Sequence, residues 1–288
     1  MLPAALVLLI QTSVNHLRKR LGDLRTVPDT KEGVWTRLYT GNVSNTKYSE
    51  VESDYKGIQL GYDTGKQVSD GKIYTGGALS YTTADNSFTR GSGDSKAFDV
   101  ALYKTWIGKD GHYYDIIAKH GRLTNDYHVT DLSDNYSTAD YKTWTSSLSA
   151  EYGYRQQLKN GWYLEPQGEL TYAHINGVDY TTSSGMNVSQ NGINSLTGRL
   201  GLGIGKQLTN GNHLYSSLSV LHEFNGKENI QADTLAYSQD MGGTWYEFIL
   251  GMTAKLSDHS NGYFNVEKLF GGDVRSNWQV NAGCRWSF

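Results

Sequence analysis

The chain has 288 residues and a formal net charge of −3, so its charges are nearly balanced. That balance argues against a nucleic-acid-binding surface, which is basic, and the single Cys284 excludes an intrachain disulfide and a cysteine-rich metal site. With 33 glycines, 21 tyrosines and 7 tryptophans against 3 prolines, the composition suits an all-β protein with crowded strands and frequent turns.

The N-terminal segment is predicted to be helical. Its longest apolar run, residues 2–10, is shorter than the roughly 18 residues that a membrane-spanning helix needs. Only Met1 precedes this run, where a secretory signal carries basic residues, and no small-residue cleavage site follows it. The richness of residues 2–25 in Leu, Ala, Val, Lys and Arg therefore favours a helix over a truncated signal.

The second half of this helix is basic, and a polar linker follows it. Residues 26–32 are polar and contain Pro28, which predicts a break between two parts of the chain. We expect a helix and linker over residues 1–28 and one domain over residues 29–288. The basic side chains of the helix are Arg18, Lys19, Arg20 and Arg25.

From Gly33 onward, apolar and polar residues alternate, which predicts strands with two different faces. The last eleven residues, WQVNAGCRWSF, are the clearest case, because every even position from Trp278 to Phe288 is apolar and every odd position is polar or small. The chain contains twelve runs of this kind, near residues 33–42, 53–64, 71–82, 95–108, 111–123, 141–158, 161–174, 195–208, 213–225, 245–256, 261–270 and 276–288.

The lengths of the runs and of their connections predict a membrane barrel rather than a soluble sandwich. The runs cover about 10 to 14 residues, against a usual mode near 5 or 6, and a tilted membrane-crossing strand needs about 9 to 11. Short turns such as QLKNGW alternate with long polar segments such as NGVDYTTSSGMNVSQNGIN. This is typical of an outer-membrane barrel, and an even number of strands closes it without an open edge.

Several segments together resemble the C-terminal translocator domain of classical (type V) autotransporters. In chain order they are VNHLRKRLGDLR, GVWTRLYTGN, KGIQLGYDTG, LEPQGELTY, LTGRLGLGIG and NAGCRWSF, and the resemblance runs from about Val14 to Phe288.

The resemblance implies an all-β fold, a twelve-stranded antiparallel transmembrane β-barrel with the N-terminal α-helix threaded through its pore, in the outer membrane of a Gram-negative (diderm) bacterium. The function it implies is export of an N-terminal passenger, which is then anchored or released. The implied partners are outer-membrane lipid, the passenger, periplasmic chaperones and the outer-membrane assembly machinery, for which Trp286 and Phe288 form the recognition signal.

The parity of the strands predicts which charges face the lumen. The predicted lumen carboxylates are Asp115, Glu151, Glu165, Glu169, Glu223 and Glu247. The predicted lumen cations are Arg37, Arg155, Arg199, Lys255 and Arg285. Two interpretations remain open: the carboxylates dock the basic helix electrostatically, or the lumen is a wet interior of mixed charges.

Asn15 is the sharpest candidate for chemistry. In one subgroup, the serine protease autotransporters of enterobacteria, the matching helix carries Asn-Asn, and cyclisation of the first Asn inside the barrel releases the passenger. Here the second Asn is His16. The resemblance therefore implies single-turnover self-cleavage at Asn15–His16, with carboxylates from Asp115, Glu151 and Glu169 nearby. The alternative is a barrel that keeps its passenger attached.

Other chemistry has little support in the sequence. The eight histidines show no metal-ligand spacing and no nucleophile elbow is present, so neither a metal nor a cofactor is expected. An outer-membrane porin and a barrel enzyme, such as a protease or phospholipase, remain as alternatives. Neither requires a basic N-terminal plug.

Overall fold

The computed structural model describes residues 32–45, 51–131, 133–209, 211–272 and 274–288. The predicted pore helix and the predicted boundary at residue 28 lie outside the described residues. Among the residues that are described, no helix combines the length and apolar character needed to cross a membrane.

Seventeen strands are present in the described part of the chain. In chain order they are β1 (Glu32–Asn45), β2 (Val51–Val68), β3 (Gly71–Phe88), β4 (Gly91–Gly108), β5 (His112–Thr130), β6 (Tyr136–Tyr154), β7 (Gln156–Gln157), β8 (Trp162–Ile175), β9 (Val178–Thr181), β10 (Asn187–Gln190), β11 (Ile193–Gln207), β12 (His213–Glu223), β13 (Lys227–Ala232), β14 (Leu235–Asp240), β15 (Gly243–Lys255), β16 (Ser260–Phe270) and β17 (Val274–Ser287). One 3-10 turn, Lys159–Gly161, precedes β8.

Twelve long strands form a closed antiparallel barrel. Each coincides with a predicted run, and the order around the wall is β1, β2, β3, β4, β5, β6, β8, β11, β12, β15, β16 and β17. The first and last strands pair from Gly33 opposite Ser287 to Asn45 opposite Val274, with one bulge after Asn42. Every wall strand therefore has two neighbours, which satisfies its backbone groups in lipid.

The last strand has the two faces predicted from its alternation. Trp278 and Trp286 are 46% and 57% exposed on the outside of the barrel, whereas Asn281 and Arg285 are buried in the lumen. The prediction of an apolar lipid face and a polar lumen face is therefore confirmed for this strand.

Aromatic rings in the lumen lie over glycines of the neighbouring strand. Tyr113 on β5 is directly opposite Gly153 on β6, and a Cβ added at Gly153 would overlap the phenol ring. Gly57 and Tyr39 form the same arrangement on β2 and β1. The lumen glycines thus make room for aromatic rings that fill a narrow interior.

The two ends of the barrel differ, as predicted, but the long connections are more ordered than predicted. At one end the turns are short, for example residues 69–70 between β2 and β3. At the other end, β5 runs to Thr130 and β6 begins at Tyr136, so most of the predicted loop is strand. The prediction of long irregular loops is wrong here because the strands continue past the apolar band.

Two further predicted loops form a small four-stranded sheet. Its order is β14-β13-β10-β9, with Gln190 opposite Ile230 where the two hairpins meet. Val178 and Tyr180 of β9 pack against a cluster at the long-loop end of the wall that includes Tyr141 and Ile175. The small sheet therefore lies over the mouth of the barrel at that end.

Candidate functional site in the barrel lumen

Three predicted carboxylates lie side by side on the lumen wall. Asp115 on β5 is directly opposite Glu151 on β6, and Glu151 is directly opposite Glu169 on β8. Glu169 is in turn opposite Arg199 on β11. All four side chains are buried. These four residues are called the lumen row.

Arg199 fixes two of the three carboxylates in place. Its Nη2 donates to Oε2 of Glu151 at 2.8 Å, and its Nε donates to Oε2 of Glu169 at 2.9 Å. The same guanidinium reaches Gln167 at 3.1 Å and Ser219 at 3.3 Å. A planar guanidinium with several donors can hold two carboxylates at once, which brings their negative charges together at a defined separation.

A second ion pair lies beside the lumen row. Nε of Arg155 donates to Oε2 of Glu165 at 2.5 Å, and its guanidinium lies 4.4 Å from the ring centre of Tyr163. Oε1 of Glu165 accepts hydrogen bonds from Tyr113 at 3.1 Å and Gln167 at 2.8 Å. Because Gln167 contacts both Glu165 and Arg199, the two ion-pair groups form one network.

The seam where β17 meets β1 carries its own buried charges. Arg285 on β17 and Asp63 on β2 approach to 2.6 Å across β1, and both side chains are fully buried. Asp63 also accepts a hydrogen bond from Tyr103 at 2.9 Å. Nη2 of Arg37 on β1 donates to Oδ1 of Asn281. The seam is therefore held by polar contacts inside the lumen as well as by backbone pairing.

The sequence assigned most lumen charges correctly and one incorrectly. Lys255 does not face the lumen: it is half exposed at the end of β15 and donates to Asp258 at 2.7 Å, which holds the pKa of that carboxyl below its usual range. The parity rule fails there because β15 ends at Lys255 and the turn redirects its side chain.

Glu223 faces inward but has a local structural role. Its carboxylate accepts hydrogen bonds from the backbone N–H groups of Leu196 and Asn225 and from the hydroxyls of Ser195 and Thr197. It therefore orders the chain at the end of β12 rather than presenting a charge to the pore.

Several lumen charges were not singled out from the sequence. Asp63, Glu267 and the buried Asp99–Lys119 pair, at 3.1 Å, all face inward. Their odd positions on β2, β4, β5 and β16 carry the same parity signal as the predicted residues, so it was available in the sequence.

Carboxylates outnumber cations on the described wall of the lumen. The inward-facing acids along the barrel strands are Asp63, Asp99, Asp115, Glu151, Glu165, Glu169, Glu247 and Glu267. The inward-facing cations are Arg37, Lys119, Arg155, Arg199 and Arg285. The described lumen is thus a mixed-charge interior with an acidic surplus, so each of the two interpretations of the sequence describes part of it.

The remaining candidate residues lie at the two ends of the chain. Asn15 and the basic residues Arg18, Lys19, Arg20 and Arg25 lie outside the described residues. Trp286 and Phe288 lie on the lipid face at the short-turn end, 57% and 62% exposed, and the backbone N–H of Phe288 donates to the carbonyl of Glu32 at 3.3 Å. Within the described ranges, no three His, Cys, Asp or Glu side chains converge as metal ligands.

The comparison with known families decides the identity of the barrel. The model of the autotransporter β-domain matches residues 34–267. The chain belongs to the autotransporter β-domain family. The resemblance expected from the sequence is therefore confirmed, and the translocator function is favoured over the porin and the barrel enzyme.

Curated relatives match nearly the whole chain. It is 34% identical to the pertactin autotransporter of Bordetella parapertussis over 282 residues, which cover 95% of this chain and 30% of the relative. It is 31% identical to the BrkA autotransporter of Bordetella pertussis over 281 residues, 95% of this chain and 28% of the relative. The chain thus spans less than a third of the length of these relatives.

Solved structures give the same assignment. The β-domain of the Bordetella autotransporter BrkA has a TM-score of 0.75 and 28% identity, covering 90% of this chain and 100% of that one. The translocator domain of NalP from Neisseria meningitidis has a TM-score of 0.83, covering 99% and 98%, and its 15% identity shows the fold alone.

As an autotransporter β-domain, this barrel is a type V secretion translocator. It lies in the outer membrane of a Gram-negative bacterium and exports a linked passenger across that membrane. The lumen row therefore lies on the inner wall of a pore that serves secretion.

Proposed function

We propose that the acidic surplus of the lumen holds the basic segment around Arg18, Lys19, Arg20 and Arg25 inside the pore once the passenger has been exported. The observation that carries this proposal is the concentration of carboxylates around the lumen row. A cationic segment in a narrow lumen interacts with such charges more strongly than it would on an exposed surface. The barrel then remains sealed after export.

Conductance tests this proposal directly. The whole chain, a variant lacking residues 2–25, and a variant with Arg18, Lys19, Arg20 and Arg25 all changed to Gln are reconstituted in planar bilayers. We expect the deletion to raise single-channel conductance and the Gln variant to open more often. A matched control changes Lys66, Lys104, Lys159 and Lys206, which lie outside the lumen, to Gln. Equal conductance of all four proteins would show that the segment does not occupy the pore.

We propose as a second function that the barrel cleaves its own chain between Asn15 and His16. The side-chain amide nitrogen of Asn15 attacks its own backbone carbonyl carbon, and the C–N bond to His16 breaks. The upstream piece then ends in a succinimide, which water opens to Asn or isoAsp. One carboxylate of the lumen row takes the amide proton, directly or through a water, and the leaving amine of His16 is protonated.

The side-by-side placement of Asp115, Glu151 and Glu169 supports this second proposal. Arg199 orients Glu151 and Glu169, whereas Asp115 lies on the far side of Glu151 from Arg199. A proton acceptor and an anchored neighbour thus lie within one stretch of wall. The alternative, in which the barrel keeps its passenger, uses the same row for docking only.

A fusion experiment separates the two outcomes. A folded passenger is placed upstream of Met1, the fusion is expressed in a Gram-negative host, and the N-terminus of the barrel is sequenced. We expect a barrel beginning at His16, loss of cleavage in Asn15→Ala, and slower cleavage in Asp115→Asn and Glu151→Gln. Glu267→Gln on β16, across the lumen, is the matched control. A correctly inserted but uncut fusion would leave docking and anchoring as the function of the row.

We also propose that periplasmic chaperones deliver the chain and that the assembly machinery recognises its last strand. The exposed aromatic side chains of Trp286 and Phe288 support this proposal, because they lie at the terminus of a strand that must be positioned before the barrel closes. The corresponding variants are described in the Discussion.

A further inference from the structure

One side of the barrel stands higher than the other. Strands β2 to β6 have 18 or 19 residues each, whereas the other strands of the barrel have 11 to 15. A membrane crossing needs about 9 to 11 residues. The extra residues of β2 to β6 lie at the long-loop end, and the outer surface of this extension is called the raised wall.

Two aromatic bands mark the limits of the apolar region beneath the raised wall. At the short-turn end, Trp106, Tyr114 and Tyr152 are neighbours in register, with ring centres 5.4 and 4.9 Å apart. At the other end a row that we call the girdle row runs across the five strands. Its members are Ile58, Tyr81, Phe98, Arg122 and Trp144. On β4, the segment from Phe98 to Trp106 covers nine residues, which matches one membrane crossing.

A row of lysines lies immediately above the girdle row, two residues further along each strand. In register across β2 to β6, Lys56, Lys96 and Lys142 alternate with Thr83 and Thr124. We call this the lysine row. All three lysines are exposed, and two residues of tilted strand place them about 5 Å above the aromatic band. This is the level of lipid headgroups.

Above the lysine row, the same face carries an aspartate at the next outward position of every strand. The aspartates are Asp54, Asp85, Asp94, Asp126 and Asp140, each directly opposite the next. Charged side chains are costly in hydrocarbon, so these residues set an upper limit to the apolar core of the membrane. Their negative charge also disfavours an anion above the lysine row.

The lysines are available to bind a ligand. In the described part of the chain, no ion pair within 4.0 Å is formed by Lys56, Lys96 or Lys142, although aspartates lie two residues away on the same face. The intervening threonines keep neighbouring ammonium groups on strands about 10 Å apart. Each lysine can therefore meet a separate anion.

An apolar groove opens directly below Lys56. It has a volume of about 550 Å³ and is lined by Leu38, Ile58, Tyr81 and Val280, with Lys56 at its long-loop end. A groove with apolar walls and an ammonium group at the headgroup end has the chemistry of an acyl chain continuous with an anionic headgroup.

We propose that the raised wall binds phosphorylated lipids of the outer leaflet. The lysine row binds headgroup phosphates, and the girdle row and the groove contact the acyl chains. Arg122 reinforces the site: its guanidinium lies 5.8 Å from the ring centre of Trp144, one position below the lysine row. Because β8 to β17 lack this extension, the bound lipid occupies one side of the barrel and fixes its orientation and depth in the membrane.

The test compares matched charge variants of the whole chain in detergent. The first variant changes Lys56, Lys96 and Lys142 to Gln. The control changes Lys66, Lys104 and Lys206, which lie toward the short-turn end, to Gln. A third variant changes the lysine row to Arg and keeps its charge. The probe is bisphosphorylated lipid A, with the same lipid lacking both phosphates as its partner, and native mass spectrometry measures the bound lipid.

We expect the Gln variant of the lysine row to weaken binding of the phosphorylated lipid at least ten-fold, while the control and the Arg variant stay within two-fold of the natural chain. Removing the phosphates from the lipid should weaken its binding to the natural chain by a similar factor. Equal binding by the natural chain and the lysine-row Gln variant would overturn the proposal, as would an equal loss in the control.

Two further measurements keep the result interpretable. All variants should retain heat-modifiable migration on gels, and if the triple Gln variant does not fold, single Lys56→Gln and Lys96→Gln variants should each weaken binding. Inorganic phosphate is added as a competitor. Displacement of the lipid by inorganic phosphate at equal concentration would overturn the assignment to a lipid, because it would show a site that reads the phosphate alone.

Discussion

Glu228 lies on β13 of the small sheet, and its side chain is completely buried at the mouth of the barrel. Its Oε1 accepts a hydrogen bond from Gln190 on β10 at 2.9 Å, and the phenols of Tyr141 and Tyr180 face it. Burial raises the pKa of Glu228 to about 7, and the hydrogen bond from Gln190 opposes this rise. A carboxyl in this setting makes the small sheet sensitive to pH.

The direction of this sensitivity follows from proton linkage. Below the unfolded pKa near 4.5, Glu228 is protonated in both states, and its ionisation does not disfavour folding. As the pH rises from about 4.5 to 7, the unfolded chain releases the proton first, so stability falls by an amount on the order of 3 kcal/mol. We expect amide exchange of β13, corrected for intrinsic rates, to be slower at pH 5 than at pH 8.

A matched pair of variants assigns the effect to this carboxyl. Glu228→Gln should make the protection of β13 independent of pH over the same range. Asp233→Asn, at an exposed turn of the small sheet, should leave the pH dependence as it is in the natural chain. If the natural chain shows equal protection at pH 5 and pH 8, Glu228 does not carry the linkage.

At the scale of strand pairs, the fit of Tyr113 over Gly153 predicts a steric effect. Tyr113 cannot easily move aside, because its hydroxyl is bonded to Glu165. Gly153→Val should therefore destabilise the β5–β6 pair by about 2 kcal/mol, since overpacking a tight contact costs about 1–3 kcal/mol. The measurement is the temperature at which the folded gel band converts to the unfolded one. Gly168→Val is the control, since its Cβ meets only Leu200 at 3.5 Å, and a similar shift in both would rule out this explanation.

The last strand gives a prediction about assembly. Phe288 ends the strand that closes the barrel, and both it and Phe248 on β15 expose their rings to lipid. We expect deletion of Phe288 to reduce outer-membrane insertion far more than Phe248→Ala, because only the terminal residue belongs to the predicted recognition signal. Insertion is measured as the heat-modifiable fraction in outer-membrane preparations. Equal losses would assign both residues to lipid contact alone.

At the scale of the whole molecule, alternation predicted the wall strands, because the side-chain period of a strand is written directly in the sequence. Trp278 to Phe288 and the lumen row show this rule at work. Lys255 is an exception, since a strand end redirects its side chain. The small sheet is a second exception: Gln190 and Ile230 pair across two separate connections, and no local pattern reports a contact that only the closed barrel brings together.

Barrel closure depends on a buried charge contact as well as on backbone pairing. Arg285 on β17 and Asp63 on β2 meet across β1 at 2.6 Å with no exposed surface, as a close charge contact rather than an aligned hydrogen bond. Arg285→Met leaves the carboxylate of Asp63 buried without this cation, which should cost about 3–5 kcal/mol. The conversion temperature of the folded band should fall accordingly. The double variant Arg285→Met/Asp63→Leu replaces both charges with apolar groups and should recover most of that loss. If the double variant is less stable than Arg285→Met alone, the two side chains stabilise the seam independently, and closure depends on backbone pairing and on their other contacts.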